Sequence, residues 1–505
     1  MPAFPTGLAA TLAEVADSAR SEAGSPGLGI SVFTATDVIL ERGFGHRDRE
    51  AALPVTPETV FGVASITKSF TALTALGLRE RGLLSLEDEV GRYLPFARLW
   101  SDGPPARLHH FLSHASGLPP TPTMTWLRHA SQAGDPVSAA PTLAEAKLTL
   151  APGVTGMSGT PARSLADVDA SAAAIPDDDA ERRIATLASR VASFAGLSAW
   201  LDAHAMPLAA PGELYSYSND AFCLVGGVIE RVAGEPYARA VEREVLAPLG
   251  MRRSRFDLEG VLADPDHATV YARDARGAVV RSPAWQTTGV MQGGGMLKST
   301  LVDLRAYVRH LMAGGARELV EPRIVSGPGA SYGLGLARRD DYHGLTIISH
   351  GGSLKGVSSA IGYSPQLGIG IVILSNLEGV PAEQLLVSVV NACAGLPLDT
   401  VAYDPAPYDP APYADSPGAT AAGEPGSVIG DYLSGEPYGR TRLYLSEAGE
   451  LRAEVGWPPL DVPAFVVGPD EVALVYPARK AAARVLRDGG GKVWGLQSGR
   501  VMRRL

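Results

Sequence analysis

A proline-rich stretch near the C-terminal end divides the chain into two parts. Residues 398–427 contain "YDPAPYDPAPYADSPGATAAGEPG", in which the pentapeptide DPAPY occurs at 404–408 and again at 409–413. Proline fixes φ and has no backbone N–H, so prolines at this density exclude a helix or an inner strand. We therefore predict a semi-extended linker over 398–427 that joins two folded units, residues 1–397 and residues 428–505.

The order of sequence patterns in residues 1–397 predicts an α+β fold. Apolar residues at helical spacing predict a helix over 7–22, and two β-branched runs predict a hairpin over 28–45. Several helical segments come next, and a strand-rich run over 332–376 precedes a last helix. We therefore expect an antiparallel sheet that takes strands from both ends of this unit and is flanked by helices. Short apolar runs separated by turn residues predict a small all-β, barrel-like domain over 428–505.

One segment of the first unit lacks these regular patterns. Residues from about 120 to 180 are poor in large apolar side chains and rich in Ala, Pro, Thr and Ser, with an acidic cluster at 177–179. Such a composition buries little apolar surface. We expect an inserted, mobile segment here.

Composition narrows the class of protein. The chain is 46% hydrophobic and 19% charged, which is typical of a globular protein. Its net charge is −10 and it has no run of Lys or Arg, which argues against a nucleic-acid partner. No apolar run approaches the roughly 20 residues needed to span a bilayer, and the N-terminal residues lack the pattern of a signal peptide. We expect no membrane association and a soluble, cytoplasmic protein.

No metal or cofactor is predicted. The two cysteines, Cys223 and Cys393, lie far apart and outside any C-x-x-C spacing, and the ten histidines form no metal-binding motif. No glycine-rich phosphate loop is found either. We therefore expect the cysteines to be core residues, and any chemistry to depend on side chains alone.

The stretch "FGVASITKSF" holds the first candidate site. Ser65 and Lys68 stand three positions apart at the start of a predicted helix, so the amine can reach the hydroxyl. Apolar neighbours disfavour the charged form of the lysine, and a neutral amine can take the proton of a serine nucleophile. The alternative is a lysine that extends to solvent beside a serine at a helix start.

Two further stretches carry candidate residues. In "APGELYSYSNDAFCLVGG", Tyr217 could act as a general base or proton shuttle, and Asn219 could offer its amide to substrate or to Lys68. In "ISHGGSLKG", His350 follows an apolar strand and two glycines leave its edge open to substrate. Backbone N–H groups there could hold an oxyanion. In isolation, each stretch has a structural alternative: a packed tyrosine with a helix-capping asparagine, and a structural histidine.

The order of these three motifs resembles the serine β-lactamase and penicillin-binding-protein superfamily. The resemblance is closest to class C β-lactamases, to the peptidases of family S12 with their D-aminopeptidase branch, and to β-lactamase-like esterases. It extends to "LHHFLSHASGLP" and "GYSPQLGIGIVILSN" and covers most of residues 7–395. It implies a β-lactamase/transpeptidase-like fold with a helical subdomain beside the sheet, and an enzyme that forms an acyl-enzyme.

The resemblance also implies a role for each candidate. Ser65 is similar to the acylated nucleophile, Lys68 to its base and Tyr217 to the second base. Asn219, His350, Gly352 and Ser353 take the positions of substrate-binding residues, and the backbone N–H groups of Ser65 and Ser353 those of the oxyanion hole.

One departure from the family pattern bears on the substrate. His350 stands where β-lactamases and carboxypeptidases carry the lysine of K-T-G, and a neutral histidine attracts a substrate carboxylate only weakly. We therefore predict an aminopeptidase-like enzyme acting on short peptides or amino-acid amides. The alternatives are a carboxylesterase acting on short acyl esters and, less favoured, a penicillin-recognising protein without turnover. Related peptidases imply that the C-terminal barrel gates the site or mediates assembly. Stereoselectivity and oligomeric state stay open.

Overall fold

The architecture is that of a computed structural model of the chain. It describes residues 4–96, 98–101, 103–132, 135, 137, 139–151, 154, 163–282, 285–401, 404–405, 425–436, 439–476 and 479–505. Most of the predicted linker, residues 402–403 and 406–424, lies outside the described residues.

The helices and strands of the first unit are as follows. The helices are α1 (Leu8–Glu22), α2 (Thr67–Glu80), α3 (Leu108–Leu112), α4 (Thr123–Ser131), α5 (Ala139–Thr149), α6 (Leu165–Ala173), α7 (Asp177–Arg190), α8 (Phe194–His204), α9 (Asn219–Ala233), α10 (Tyr237–Val241), α11 (Leu258–Ala263), α12 (Gln292–Gly295), α13 (Leu301–Met312), α14 (Arg317–Val320) and α15 (Ala382–Ala394). The strands are β1 (Gly27–Phe33), β2 (Val38–Asp48), β3 (Leu53–Pro54), β4 (Phe61–Gly62), β5 (Tyr271–Arg273), β6 (Val279–Arg281), β7 (Lys298–Ser299), β8 (Ile324–Gly327), β9 (Ala330–Tyr332), β10 (Ala337–Tyr342), β11 (Leu345–Leu354), β12 (Val357–Ser364) and β13 (Ile369–Ser375).

The second unit consists of a short helix and a barrel. These elements are α16 (Pro425–Val428), β14 (Gly430–Leu433), β15 (Arg440–Leu445), β16 (Leu451–Val455), β17 (Leu460–Gly468), β18 (Glu471–Tyr476), β19 (Arg479–Arg487), β20 (Val493–Ser498) and β21 (Arg500–Arg504).

A large antiparallel sheet organises the first unit. Among the described residues its strand order is β3-β2-β1-β13-β12-β11-β10-β9-β8. Leu28 on β1 lies opposite Ser375 on β13, so strands from the two ends of the unit are neighbours. Successive residues of a strand face opposite sides, and β13 is apolar on both: Ile373 packs with α1 and α15, whereas Leu374 joins the core around α2 and α9. The predicted α+β class is confirmed.

The segment at 120–180 contains more regular structure than its sequence patterns indicated. Its described residues form α4, α5, α6 and the first turn of α7, and its being an insertion and mobile stays a prediction. Alanine has the highest helix propensity, which explains α5 and α6. The acidic residues at 177–179 open α7, where carboxylates interact favourably with the helix dipole. Composition alone had suggested a segment without a core, but Trp126 on α4 is fully buried.

The C-terminal strands close into a barrel. Strands β14 to β21 pair in chain order, and β14 returns to β21 through Tyr432 and Arg504. Val472 and Leu474 point into the barrel core, and Ala473 between them faces the other way. Closure leaves no free sheet edge in this barrel. The barrel-like C-terminal domain of the predicted fold class is confirmed, and the exact domain boundaries stay predictions.

The barrel packs against the helical segment. Leu433 on β14 joins a small apolar cluster with Leu148 and Leu165. Arg440 donates to Asp169 on α6 at 2.6 Å. A second ion pair ties the segment to the sheet: Lys355, in the turn after β11, lies 2.6 Å from the fully buried carboxylate of Asp135. These contacts hold the segment and the barrel against the open ends of β11 and β12.

The helices differ from membrane spans in length and hydropathy. In the described ranges no single helix is both long and apolar enough to cross a bilayer. Only α7 and α8 taken together, with a bend of 110° between them, meet that requirement by length and composition.

Candidate active site

Ser65 lies on a one-turn 3₁₀ helix, Ala64–Ile66, that leads directly into α2. Ala64 has a φ of 47°, in the left-handed region that a residue with a Cβ rarely adopts. Such backbone strain is common at functional sites. Ser65 remains partly exposed, whereas its neighbours Ala64 and Ile66 are buried. The turn therefore presents one hydroxyl to the surface of a cavity.

Lys68 lies one helical turn further and is fully buried. Its Nζ donates to Ser65 Oγ at 3.0 Å. It also donates to Asn219 Oδ1 at 2.9 Å and to the backbone oxygen of Gly294 at 2.7 Å. These three acceptors match the three N–H groups of an ammonium, so the side chain is held in one position. The interpretation of Lys68 as a solvent-exposed lysine is wrong.

Asn219 is the first residue of α9. The hydroxyl of Ser218 caps this helix by accepting from the backbone N–H of Ala221 at 3.1 Å. The cap fixes the direction of the helix start, and the amide oxygen of Asn219 points at Lys68. Asn219 therefore joins the Ser65–Lys68 pair, although 151 positions separate it from Lys68.

Tyr217 belongs to the same group of side chains. The centre of its ring lies 4.9 Å from Lys68 Nζ. On the barrel side, the guanidinium carbon of Arg500 lies 5.0 Å from the same ring centre. The aromatic ring is thus placed between two cationic groups, an arrangement favoured by the negative potential of its faces.

His114 holds the segment that carries Tyr217, and the sequence analysis did not single it out. Its backbone oxygen accepts from the N–H of Ser216 at 2.9 Å, and its Nδ1 accepts from the N–H of Ser218 at 3.1 Å. Its ring lies 4.1 Å from that of Tyr217. Burial, with the charge of Lys68 as a further cause, keeps the pKa of His114 well below its usual value. A neutral ring can accept at Nδ1, as observed. The one indication in the sequence is that His114 lies within "LHHFLSHASGLP", a segment that resembles the family.

His350 lies on β11 and lines the same cavity. Its Nδ1 lies 2.6 Å from the oxygen of Gly351, and its Nε2 lies 2.9 Å from the hydroxyl of Tyr332. The first contact requires a proton on Nδ1, so Nε2 accepts from Tyr332. Burial, followed by the charge of Lys68, lowers the pKa of His350 to about 3. At neutral pH this strand therefore carries no positive charge at position 350.

Gly352 allows β11 to approach the turn of Ser65. A Cβ at this position would lie 2.5 Å from the oxygen of Val63 and 3.0 Å from the Cβ of Ala64, distances too short for any other residue. The hydroxyl of Ser359 donates to the same Val63 oxygen at 2.8 Å and fastens the turn to the sheet. Ser65 and Ser353 consequently line one cavity, as an oxyanion hole built from their N–H groups requires. The assignment of those N–H groups stays a prediction.

The cavity has a volume of about 800 Å³ and is lined by three parts of the chain. All the predicted site residues belong to the first unit, and all of them except Lys68 line the cavity. The helical segment contributes Met124 on α4, and the barrel contributes Glu436 and Arg500. No group of three or more His, Cys, Asp or Glu side chains suited to a metal ion occurs among the residues the structure describes.

Most of the chain is similar in sequence to a known protein family. A family model described as Beta-lactamase matches residues 12–392, about three quarters of the chain. The chain belongs to this beta-lactamase family. The superfamily resemblance is therefore confirmed.

Individual proteins are similar to parts of this chain at moderate sequence identity. Esterase EstB of Burkholderia gladioli is 32% identical over 277 residues, 54% of this chain and 57% of EstB. Protein flp of Staphylococcus aureus is 26% identical over 382 residues, 72% of this chain and 63% of flp. The chain thus spans less than two thirds of the length of either relative.

Among solved structures, similarity extends over the barrel as well. The octameric penicillin-binding protein homologue from Pyrococcus abyssi is 26% identical, with a TM-score of 0.59, and the match covers 98% of this chain and 99% of that one. Both units of this beta-lactamase-family chain therefore have counterparts in one known structure.

Proposed function

We propose that this chain is a serine hydrolase that acts through an acyl-enzyme on short peptides or amino-acid amides, in the manner of an aminopeptidase. The observation that carries the proposal is the contact of 3.0 Å between Lys68 Nζ and Ser65 Oγ at a fully buried lysine. Nucleophile and base within hydrogen-bond reach, with the base itself held by other groups, are the signature of an activated hydroxyl.

In the proposed reaction Lys68 first releases one ammonium proton to solvent; Ser65 Oγ then attacks the substrate carbonyl carbon and its proton passes to the Lys68 amine. The oxyanion that forms is held by the N–H groups of Ser65 and Ser353. Tyr217 delivers a proton to the leaving amine, which departs as the acyl-enzyme forms. Water then attacks the acyl carbon and gives its proton to the Tyr217 phenolate, while Lys68 returns the first proton to Ser65 Oγ as that oxygen leaves.

The charges around the cavity support a substrate with a free amine. His350 is neutral at pH values well above 3, so β11 offers no cation to a substrate carboxylate. The carboxylate of Glu378 accepts from Ser353 Oγ at 3.3 Å, and Glu378 and Glu383 line the same cavity. An ammonium group on the acyl side would be attracted there.

A carboxylesterase acting on short acyl esters is the second candidate. The 32% identity to esterase EstB favours it, and the cavity wall includes the apolar side chains of Met124, Met291 and Met296. The same nucleophile and base would serve both reactions. Catalytic efficiency on an aminoacyl p-nitroanilide and on p-nitrophenyl butyrate separates them: the first proposal requires the anilide with a free amine to be preferred over its N-acetylated form.

Replacement of the nucleophile tests the mechanism. We expect Ser65→Ala to lower kcat on the preferred substrate by at least about 10⁴-fold, because the acyl-enzyme cannot form. Ser69→Ala is the matched control, since Ser69 lies on the same helix and its hydroxyl donates to the Ile66 oxygen at 2.8 Å, away from the cavity. Full turnover by Ser65→Ala contradicts the mechanism. A stable stoichiometric adduct on Ser65 without turnover would favour a penicillin-recognising protein instead.

A further inference from the structure

The turn between β20 and β21 of the barrel reaches the segment that carries Tyr217. The oxygen of Gly499, at the tip of the turn, accepts from the N–H of Tyr217 at 3.0 Å. Gln497 Nε2 donates to the oxygen of Tyr215 at 2.8 Å, and the N–H of Val501 donates to Ser216 Oγ at 3.4 Å. The barrel hairpin is therefore bonded to three consecutive residues of the proposed active site.

Arg500, next to that tip, brings a charge into the cavity. Its guanidinium carbon lies 5.0 Å from the centre of the Tyr217 ring. It forms an ion pair with Glu436, a buried residue that also belongs to the barrel. The planar guanidinium is thus held by one barrel residue while it packs on the aromatic ring.

Arg500 is charged, whereas His350, the β11 residue near Tyr217, is neutral. The ring of His350 lies 6.3 Å from the Tyr217 ring, and its pKa near 3 keeps it neutral at neutral pH. Lys68, at 4.9 Å, and Arg500 are therefore the cations that contact the Tyr217 ring within the described part of the chain. One of the two comes from outside the first unit.

We propose that Arg500 is a positioning residue for Tyr217, so that the barrel completes the catalytic centre rather than merely bordering it. The inference rests on the proposed function. Glu436 already occupies the guanidinium, so the pair as a whole is neutral and is poorly suited to attract a substrate anion. Its effect is exerted through the ring: Arg500 and Lys68 lie near it and the tilted His114 ring is 4.1 Å away, so the phenol is held by contacts from several groups. A displacement of about 1 Å in a proton-transfer group can cost about 100-fold in rate.

The test measures how fast Ser65 is labelled by a fluorophosphonate, a reaction in which the serine oxygen displaces fluoride from phosphorus and Tyr217, as proton donor to the leaving group, donates to the departing fluoride. The rate is followed by intact mass for the wild type, Arg500→Gln, Arg500→Lys, Tyr217→Phe and the double variant Arg500→Gln/Tyr217→Phe. We expect Arg500→Gln to slow labelling by about 10- to 100-fold and Arg500→Lys to recover part of it. In the Tyr217→Phe background, Arg500→Gln should add less than about 2-fold, because the hydroxyl it positions is gone.

Arg503→Gln is the matched control. Arg503 lies on the same strand, and its guanidinium carbon is 5.8 Å from the Trp494 ring. It should label at the wild-type rate. Thermal unfolding of each variant checks the fold, and Glu436→Gln, which frees the guanidinium without removing it, provides a second route should Arg500→Gln fail to fold.

The outcomes separate this inference from the proposed function. Labelling of Arg500→Gln at the wild-type rate overturns the positioning role and leaves the hydrolase proposal intact. Losses that multiply in the double variant overturn it as well, since Arg500 would then act independently of Tyr217. Absence of Ser65-dependent labelling in the wild type contradicts the proposed function, and the inference with it.

Discussion

Two regions of the cavity differ in their access to water. The floor consists of Ser65 and the Lys68 amine that donates to it, and the rim consists of Ser353 on β11 and Glu378. On the floor, Lys68 is fully buried and donates to three acceptors. On the rim, Ser353 is exposed and shares one contact of 3.3 Å with the half-buried Glu378. Electrostatic interactions are strong where water is excluded and are screened where it is present. We infer that the floor determines whether the reaction occurs and that the side chains of the rim determine which substrate is preferred.

After Ser65→Ala, the largest effect is expected at Lys68, the proposed base on the floor. We expect Lys68→Met to lower kcat by about 10²- to 10⁴-fold on anilide and ester substrates alike, because neither reaction can then deprotonate Ser65. Steady-state kinetics measure the effect. Lys298→Met is the matched control, since Lys298 is also buried but donates to the oxygen of Phe256 and lies outside the cavity lining. Should Lys68→Met retain more than a tenth of wild-type kcat, the role of the floor would be wrong.

A smaller loss of kcat is expected on substitution of His114, which is hydrogen-bonded to Ser216 and Ser218 on either side of Tyr217. His114→Phe keeps a ring but leaves the buried N–H of Ser218 without its acceptor, which costs about 1–3 kcal/mol. We expect it to lower kcat by up to about 100-fold through misplacement of Tyr217, and to lower the melting temperature. His114→Asn should retain more of both, because asparagine tolerates the φ of 57° and offers an oxygen acceptor. Equal behaviour of the two variants would contradict the proposed contact with Ser218.

Local sequence was sufficient to identify the floor. Ser65 and Lys68 meet because three positions bring side chains together on a helix, and an Asn at the start of α9 was expected near them. Likewise, the apolar runs of β1 and β13 predict buried strands, so the fold class could be predicted. The linker boundaries could not be tested, since most of 398–427 lies outside the described residues.

Contacts between distant segments could not be predicted from patterns. Arg500 and Glu436 stand in a barrel whose sequence shows only alternating runs and turns, and nothing local indicates which turn enters the cavity. The helices of the segment at 120–180 were not predicted because they bury small side chains, such as Ala146 and Ala172, that a search for large apolar groups overlooks. His114 was missed because its role depends on backbone bonds to Ser216 and Ser218, which a motif search does not register.

The rim can be tested through selectivity. We expect Glu378→Gln to raise KM for an aminoacyl anilide by about 2- to 5-fold and to leave p-nitrophenyl butyrate unaffected, because a partly exposed carboxylate contributes at most about 1 kcal/mol to the binding of an ammonium. The ratio of the two kcat/KM values is the measurement. Glu259→Gln, at an exposed glutamate on α11 outside the cavity lining, should leave that ratio unchanged. An equal loss on both substrates would show that the rim takes part in the chemistry, and the division between floor and rim would fail.

The smallest effect concerns stability at His350, which links the rim to the floor along β11. An unfolded histidine takes up a proton near its ordinary pKa of 6.5, whereas folded His350 does so only near 3. Between these values the unfolded state binds more protons, so the free energy of unfolding falls as pH falls, by at most about 1.4 kcal/mol per pH unit for one group. His350→Gln removes this contribution, and urea unfolding from neutral pH towards pH 4 should show a shallower decline. His114 has the same sign of shift and remains in the variant, so part of the decline persists. An unchanged slope would mean that folded His350 titrates near its ordinary pKa, so that β11 would gain a positive charge in mildly acidic solution and the pKa near 3 would be wrong.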